Sequence, residues 1–455
     1  MTAPTGHLTL DDLRAAVADG HVDTVIVAFT DMQGRLVGKR VSARLFLEDV
    51  AEHGAECCNY LLAVDVEMNT VDGYAISSWE RGYGDMRMVP DFTTLRAAPW
   101  LPGTAMVTAD LEWLDDSPVE ESPRRILQRQ VGRLAERGLA PYSGNELEFI
   151  VFDDDFRTAW RRGYRDLTPA SDYNVDYALH ASTRMEPLLR DIRRAMDGAG
   201  MYTEGVKGEC NLGQQEIAFR YDRSVTTCDH HSIYKSASKE IADAHGKSIT
   251  FMAKFDQREG NSCHIHLSLR GDDGSAAFAD PAAPHGMSTL FTQFLAGLLR
   301  HLRELTLLLA PNINSYKRYA DGSFAPTAMA WGFDNRTCAL RVVGHGSGMR
   351  VECRIPGGDV NPYLATAALI AAGLAGVEEG LELEPAFEGN AYASDAPRVP
   401  STLRDAAALF EASDLARAAF GEDVVAHYLN AARVELAAFD AAVTDWERVR
   451  GFERL

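Results

Sequence analysis

The sequence predicts an α+β protein with two domains, and three observations lead to that prediction. Short extended segments dominate residues 1–103, which end at Pro102-Gly103 and contain little helix. Helical segments alternate with strands throughout residues 104–455. The chain of 455 residues is long enough for two or three domains with a substantial core. A small strand-rich domain is therefore expected to precede a larger mixed domain.

The first domain opens with a helix and a hairpin. Residues 8–19 carry apolar side chains at helical spacing and end at Gly20. Residues 22–29 are rich in β-formers, and the turn at 31–34 leads into a second strand at 36–41. A helix at 45–54 and extended segments at 57–62 and 64–68 complete the predicted elements of this domain.

The second domain begins with a capped helix. Ser122-Pro123 places a hydroxyl and then a proline at the helix start, and Gly138 ends it. The strand at 145–152 follows, and residues 153–180 form a long irregular segment best explained as a functional loop. Further helices are predicted at 185–200, 232–247, 288–309, 362–380 and 401–445, and further strands at 216–221, 264–269, 338–343 and 351–355.

Charge and cysteine content exclude several classes of protein. The chain has 45 basic and 66 acidic residues and a net charge of -21, so its surface repels nucleic acid and anionic membranes. Residues 1–6 contain no basic segment followed by an apolar one, which argues against secretion. The cysteines number 7 and lack C-x-x-C spacing, as in a reducing compartment. We expect a cytoplasmic globular protein.

Two glutamates in a largely apolar strand are the first candidate for chemistry. Glu146 and Glu148 lie two residues apart and would share one face of the strand, with Leu147 and Phe149 on the other. Like charges held side by side repel unless a cation lies between them, and a divalent metal is a natural candidate. A single such pair is more often a solvated strand face.

Other polar strand faces favour the metal hypothesis. Glu209 and Glu216 flank a polar turn, and His264, His266 and Ser268 alternate with apolar residues in a further strand. The segment 350–354 adds a glutamate and an arginine on one face. Carboxylates together with an imidazole suit magnesium or manganese better than a zinc site built from thiolates.

These motifs resemble those of the glutamine synthetase family, and the resemblance covers residues 22–448. Its motifs are Glu146-Leu-Glu148, Glu209 to Glu216, His264-Ile-His266-Leu-Ser268, Asn314-Ser315-Tyr316-Lys317-Arg318, Asn335-Arg336, Glu352-Cys-Arg354 and Asn361-Pro362-Tyr363-Leu364. The resemblance implies an N-terminal β-grasp domain at 1–103 and a catalytic domain at 104–455 built on a curled antiparallel sheet with helices. It also implies a homo-oligomer, a dodecamer of two hexameric rings, with active sites between subunits.

The resemblance further implies a role for individual residues. Two Mg²⁺ or Mn²⁺ ions per site would be held by Glu148, Glu209 and Glu216 and by Glu146, His264 and Glu352. ATP would contact Glu204, His266, Ser268 and Arg341, and the substrates would contact Arg318, Arg354, Gly260, Phe324 and Tyr177. Arg336 and Glu209 would act in catalysis, Arg336 on the phosphates and Glu209 as the nearest candidate base for the amine.

The implied reaction has two steps. ATP phosphorylates the γ-carboxylate of L-glutamate, and an amine then displaces phosphate to form an amide. Positive charge around the transferring group is the main requirement of such chemistry, and arginines and metal ions supply it.

Three departures from the family pattern concern the amine and glutamate contacts. The ammonium-binding aspartate of glutamine synthetases falls within residues 56–61, where no aspartate occurs. Their flap glutamate is replaced by Phe324, which cannot bind ammonium as a carboxylate does but can pack against a carbon chain. The third departure is Glu259-Gly260-Asn261-Ser262, which replaces N-G-S-G before the histidines.

We therefore expect a γ-glutamyl–amine ligase. The residues assigned to the amine pocket, Cys57, Cys58, Asn59, Tyr60, Phe324 and Tyr177, are neutral and favour a short amine with a hydroxyl tail such as ethanolamine. A polyamine such as putrescine or spermidine is also compatible with the sequence, because the loop at 153–180 could supply acids. Two further hypotheses stay open: an ordinary glutamine synthetase that uses ammonia, and a catalytically silent structural or regulatory ring protein.

Overall fold

The computed structural model of the protein describes residues 4–455. Residues 1–3, which belong to the predicted first domain and to the N-terminal segment considered above, lie outside the described residues. The first sheet comprises β1 (Thr24–Thr30), β2 (Leu36–Ser42), β3 (Ala55–Cys58), β4 (Asp85–Pro90), β5 (Arg96–Ala97) and β6 (Thr104–Trp113). Its order is β2-β1-β6-β4-β3, with β5 paired to β6.

The first sheet has a mixed topology. The central strands β1 and β6 run parallel, whereas β1 pairs antiparallel with β2 in the predicted hairpin. Helix α1 (Leu10–Ala18) precedes β1, and a helical run follows β2, formed by α2 (Ala43–Leu45), the π-helical turn Phe46–Val50 and α3 (Ala51–His53). Phe46 and Val50 of this run are buried. The α+β fold of the β-grasp type is confirmed.

Strand β6 bears on the position of the domain boundary. It begins at Thr104, one residue after the predicted boundary, and forms the centre of the first sheet. We therefore propose that the first domain extends through Trp113 and that the catalytic domain begins before α4 (Pro123–Ala135).

The second sheet carries the predicted chemistry. It comprises β7 (Leu139–Phe152), β8 (Thr203–Gly208), β9 (Gln214–Phe219), β10 (Asp222–Arg223), β11 (Ser248–Thr250), β12 (Cys263–Gly271), β13 (Trp331–Phe333), β14 (Leu340–Val343) and β15 (Arg350–Cys353). The order is β13-β14-β15-β12-β7-β9-β8. Every pair is antiparallel as expected except β13 with β14, which is parallel.

Helices cover this sheet and fill the C-terminal part of the chain. They are α5 (Phe156–Arg161), α6 (Leu179–Ser182), α7 (Glu186–Gly198), α8 (Ser224–Ala244), α9 (Thr289–His301), α10 (Thr306–Leu309), α11 (Pro362–Glu379), α12 (Leu403–Glu411), α13 (Asp414–Phe420), α14 (Glu422–Ala441) and α15 (Asp445–Gly451). Helix α11 is buried from Pro362 to Gly376. Within residues 4–455, no helix has both the length and the apolar character needed to cross a membrane.

A buried arginine connects the two sheets. Arg124 of α4 donates to Asp229 of α8 at 3.0 Å, to Asp91 after β4 at 2.7 Å and to Asp110 of β6 at 2.6 Å. The Tyr363 hydroxyl of α11 donates to the same Asp229 carboxylate at 2.6 Å. A buried charge is tolerated only when its partners are complete, so this network fixes α4 and α8 against the first sheet.

Candidate active site

The strand register of the second sheet brings the predicted site residues side by side. Glu148 of β7 pairs with Glu216 of β9, which in turn pairs with Lys207 of β8. Glu146 pairs with His264 of β12. Because side chains opposite each other in a ladder share a face, these residues converge from strands that are distant in sequence.

A third row of paired residues completes the site. His266 of β12 pairs with Glu352 of β15, and Glu352 pairs with Arg341 of β14. The carboxylates of the site therefore lie between the cationic side chains of Lys207 on β8 and Arg341 on β14.

The first predicted metal set is assembled. Ligand atoms of Glu148, Glu209 and Glu216 lie within 4.8 Å of one another. The Ser262 N–H and the Gln214 amide donate to Glu148 Oε2 at 2.7 and 3.0 Å. Both bonds use one oxygen, which leaves Oε1 of Glu148 for a metal ion. The sequence analysis did not identify Gln214, which orients this ligand.

The second predicted metal set is also assembled. His264 Nδ1 lies 3.2 Å from Glu146 Oε2 and 3.3 Å from Glu352 Oε1. His266, predicted to contact the nucleotide, also comes close: a ring nitrogen of His266 lies within 4.8 Å of ligand atoms of Glu146 and Glu352. Its Nδ1 accepts a hydrogen bond from Arg350 at 3.2 Å. A neutral ring that accepts at Nδ1 carries its proton on Nε2, which lies 3.0 Å from Glu146 Oε1, so His264 is the imidazole that fits this set.

Burial and neighbouring charges set the protonation of these ligands. Burial raises the pKa of Glu216 to about 8, with a further contribution from the charge of Glu146. Burial also raises the pKa of Glu352, but His264 and Arg354 beside it lower that pKa to about 2. Burial and then Arg354 lower the pKa of His264 to about 4, so the imidazole is neutral at pH 7 and can bind a metal.

The donor set fits the implied metals. Each group combines carboxylates held by hydrogen bonds or by the sheet, and the second adds a neutral imidazole. Nε2 of His264 is buried and has no hydrogen-bond partner among residues 4–455, so only Nδ1 faces the carboxylates. Oxygen-rich sites with one imidazole suit Mg²⁺ or Mn²⁺.

One cation of the site was missed in the sequence. Lys207 contacts Glu209, lies 3.7 Å from Glu216 and stands 5.1 Å from the centroid of the Tyr177 ring. The sequence analysis did not recognise β8 as a strand. The signal was available, because Lys207 lies two residues before Glu209 and an extended segment places both on one face.

A cavity of about 330 Å³ holds most of the predicted substrate residues. Its lining includes Tyr177, Gly260, Phe324, Arg336, Arg341 and Arg354, together with both metal sets. Gly260 has a local explanation, since a Cβ there would lie 2.0 Å from the Ala253 carbonyl oxygen. Arg336 is exposed and forms no ion pair within residues 4–455, so its charge is available to a ligand.

The two aromatic residues of the predicted amine pocket have strained backbones. Tyr177 has φ 54° and Phe324 has φ 58°, a left-handed conformation that is unfavourable for residues with a Cβ. Both side chains are more than half exposed. The Phe324 carbonyl accepts a hydrogen bond from Arg354 at 3.3 Å, which connects this segment to Glu352, a predicted metal ligand. Such strain is common at functional sites.

Two predicted arginines have contacts that bear on their assigned roles. Arg318, assigned to a substrate carboxylate, is 2% exposed and absent from the cavity lining. Its two terminal guanidinium nitrogens donate to the backbone carbonyls of residues 354–356 at 2.9 to 3.2 Å, whereas its Nε is buried and has no partner among residues 4–455. Arg341, assigned to the nucleotide, lines the first cavity and donates to Glu352 at 2.8 Å.

A second cavity of about 260 Å³ holds the remaining nucleotide residues. Glu204, His266 and Ser268 line it as a group, and Glu146 lines both cavities. Residues of this cavity that the sequence analysis missed are Tyr142, Tyr221, Arg270 and Arg350. The two cavities thus adjoin at the second metal set.

The loop at 153–180 contributes an acid, as the sequence analysis allowed. Asp176 is exposed and lines the first cavity with Tyr177, and Glu259 adds a further carboxylate. In contrast, residues 57–60 line neither cavity. The side-chain Nδ2 of Asn59 donates to the Ile76 carbonyl at 2.9 Å, and its Oδ1 accepts from the Ser77 hydroxyl at 2.8 Å.

The raised pKa of Glu216 predicts that metal binding depends on pH. Below pH 8 a proton must leave Glu216 before its carboxylate can bind a cation, so Mn²⁺ affinity should rise with pH and level off above that value. We expect a rise of up to about tenfold per pH unit. Mn²⁺ titration followed by electron paramagnetic resonance measures it.

Glu435 provides the control for this prediction. Its pKa is also raised by burial, but it lies outside both cavities. Glu435→Gln should retain the pH dependence, and Glu216→Gln should flatten it. A pH-independent affinity in the unmodified protein would contradict the assignment.

Comparison with known proteins agrees with the geometry. Residues 120–450 match the family model described as glutamine synthetase, catalytic domain. The chain is 62% identical over 451 residues to γ-glutamylethanolamide synthetase GlnA4 of Streptomyces coelicolor, covering 99% of this chain and 97% of that protein. It is 34% identical to a glutamate–isopropylamine ligase of a Pseudomonas species, with 96% of each chain covered.

A solved structure of a GmaS/ADP complex superposes with a TM-score of 0.86 at 27% identity, covering 97% of this chain and 99% of that one. The shared fold extends over 97% of the chain, and the matched catalytic region comprises residues 120–450. The protein belongs to the glutamine synthetase family.

Proposed function

We propose that the protein is an ATP-dependent ligase that joins the γ-carboxylate of L-glutamate to a short primary amine, ethanolamine in the first instance. The main support for this proposal is the position of the two candidate metal sets. Both line the first cavity, whose wall includes Phe324 and Tyr177, and Glu146 of the second set also lines the second cavity. The relatives with 62% and 34% identity are both named for joining an organic amine.

The two candidate metal sets explain how the site would neutralise the negative charge of its substrates. Glu148, Glu209 and Glu216 would hold one Mg²⁺ or Mn²⁺ ion, and Glu146, His264 and Glu352 a second. When bound, these ions neutralise phosphate and carboxylate oxygens during phosphoryl transfer.

The arginines of the first cavity would stabilise the transferring phosphoryl group. Arg336 is exposed into the cavity, whereas Arg341 and Arg354 are fixed by ion pairs to Glu352. Fixed cations need little reorganisation as charge develops, which favours the transition state. The adenine nucleotide would occupy the second cavity, against Glu204, His266 and Ser268.

Asp176 is the better base for the incoming amine. Glu209, the residue expected from the sequence, contacts Lys207 and belongs to the first metal group. Its carboxylate is therefore neutralised by a neighbouring cation, which makes it a weaker base. Asp176 is exposed in the same cavity, next to Tyr177. We propose that its carboxylate binds the ammonium form and accepts the proton before the nitrogen attacks the acyl phosphate.

The amine pocket would be completed by a neighbouring subunit. Residues 57–60 lie away from both cavities of their own chain, which agrees with sites shared between subunits of a ring. We propose a homododecamer of two hexameric rings. The 7 cysteines are free thiols, which supports a cytoplasmic location.

A polyamine is the second candidate substrate. Asp176 and Glu259 both line the cavity, and two carboxylates could receive two ammonium groups. An ammonia-dependent synthetase is disfavoured by the aromatic ring of Phe324. A silent protein is disfavoured because clustered buried carboxylates are costly without a cation to bind.

The first test is phosphate release from ATP and glutamate with Mg²⁺ across ammonia, ethanolamine, putrescine and spermidine, with products identified by mass. We expect turnover with ethanolamine to exceed that with the other amines, because Phe324 and Tyr177 offer aromatic surface to a carbon chain and Asp176 is assigned to the reacting ammonium. Turnover with ammonia alone would contradict the role of Phe324, and no turnover with any amine would favour the silent protein.

The second test replaces the proposed base. Asp176→Asn keeps the shape but cannot accept a proton, so kcat should fall by about 10²- to 10⁴-fold and recover partly at high pH, where free amine is abundant. The KM for ATP should not change. Asp172→Asn, an exposed loop residue outside both cavities, is the matched control. Equal activity of the two variants would exclude Asp176 as the base.

A further inference from the structure

We propose that Lys207 determines amine specificity, because its positive charge beside the amine pocket disfavours substrates that carry a second ammonium group. This proposal rests on the proposed function and names the class of amine that the same site selects: a primary amine with an uncharged tail.

The position of Lys207 places its charge in the pocket. Lys207 lines the first cavity together with Asp176, Tyr177 and Phe324. Its ammonium group stands 5.1 Å from the centroid of the Tyr177 ring, a cation–π distance. The ring that could receive the distal ammonium of a diamine is therefore already occupied by a cation of the protein.

Metal binding would increase the effect of this charge. In the described structure Lys207 is neutralised by Glu209, with Glu216 3.7 Å away. Both carboxylates belong to the group that fits a divalent ion. Once they serve such an ion, the Lys207 ammonium loses its anionic partners, and the Tyr177 ring remains its contact. Its field then acts on whatever occupies the amine pocket.

The acids of the cavity do not cancel this effect. Asp176 is assigned to the reacting ammonium and is not available to a second one. Glu259 is the remaining carboxylate of the cavity outside the metal groups. This single acid shares the cavity with the Lys207 ammonium, so a diamine brings a further positive charge to it, whereas a monoamine with a neutral tail brings none. Specificity of this kind arises from repulsion of the wrong substrate.

The test compares two amines of equal chain length, 4-amino-1-butanol and putrescine, which differ in the charge of the tail. Lys207→Met removes the charge at similar length, and Lys207→Arg keeps it. At saturating Mg²⁺, we expect the ratio of kcat/KM for putrescine to that for aminobutanol to rise roughly tenfold in Lys207→Met, an effect of one nearby unit charge. The ratio in Lys207→Arg should match that of the unmodified enzyme.

A measurement on the unmodified enzyme tests the proposal without any variant. Screening weakens repulsion between charges, so discrimination against putrescine should decrease as salt rises from about 0.05 to 0.5 M. The same change should not affect selection between butylamine and aminobutanol, which both have uncharged tails.

Each outcome is decisive. A ratio unchanged in Lys207→Met, with both amines slowed equally, would show a structural role and overturn the proposal. Discrimination against putrescine that does not change with salt would also overturn it. Failure of the proposed function is distinguishable, because the unmodified enzyme would then turn over neither amine.

Discussion

Repulsion among carboxylates is the constraint on which the rest of this structure depends. One face of the second sheet carries Glu146, Glu148, Glu216 and Glu352, which project from paired strands. Glu209, directly after β8, joins them. Burial and the charge of neighbouring carboxylates oppose ionisation, and together they raise the pKa of Glu216 to about 8. A sheet can hold such a cluster only if cations are supplied from the protein or from solution.

The carboxylates at the two ends of the cluster are neutralised by different cations. Glu352 is held by permanent partners, since Arg341 and Arg354 both pair with it, and it stays ionised. The group around Glu216 has Lys207 as its cation, at a contact that a metal ion would compete for. The arginines beside Glu352 therefore provide fixed positive charge for a phosphate, whereas a metal ion can replace Lys207 at its carboxylates. The amine pocket adjoins Lys207.

Local patterns in the sequence predicted which residues matter better than where they point. Alternation with apolar residues predicted the faces of Glu146, Glu148 and His264, and the structure brings them together as expected. The register between strands distant in sequence could not be deduced from alternation, so the pairing of Lys207 with Glu216 was not predictable, although the position of Lys207 two residues before Glu209 was visible in the sequence. Arg318 illustrates the same limit, because a motif identifies an arginine but not that backbone carbonyls of 354–356 take its hydrogen bonds.

Anomalous X-ray diffraction from crystals grown with Mn²⁺ tests the metal centre directly. We predict one peak among Glu148, Glu209 and Glu216, a second beside Glu146, His264 and Glu352, and a Lys207 ammonium no longer in contact with Glu209. Peaks at neither group, with Lys207 still paired to Glu209, would contradict the claim that this carboxylate cluster is a metal centre.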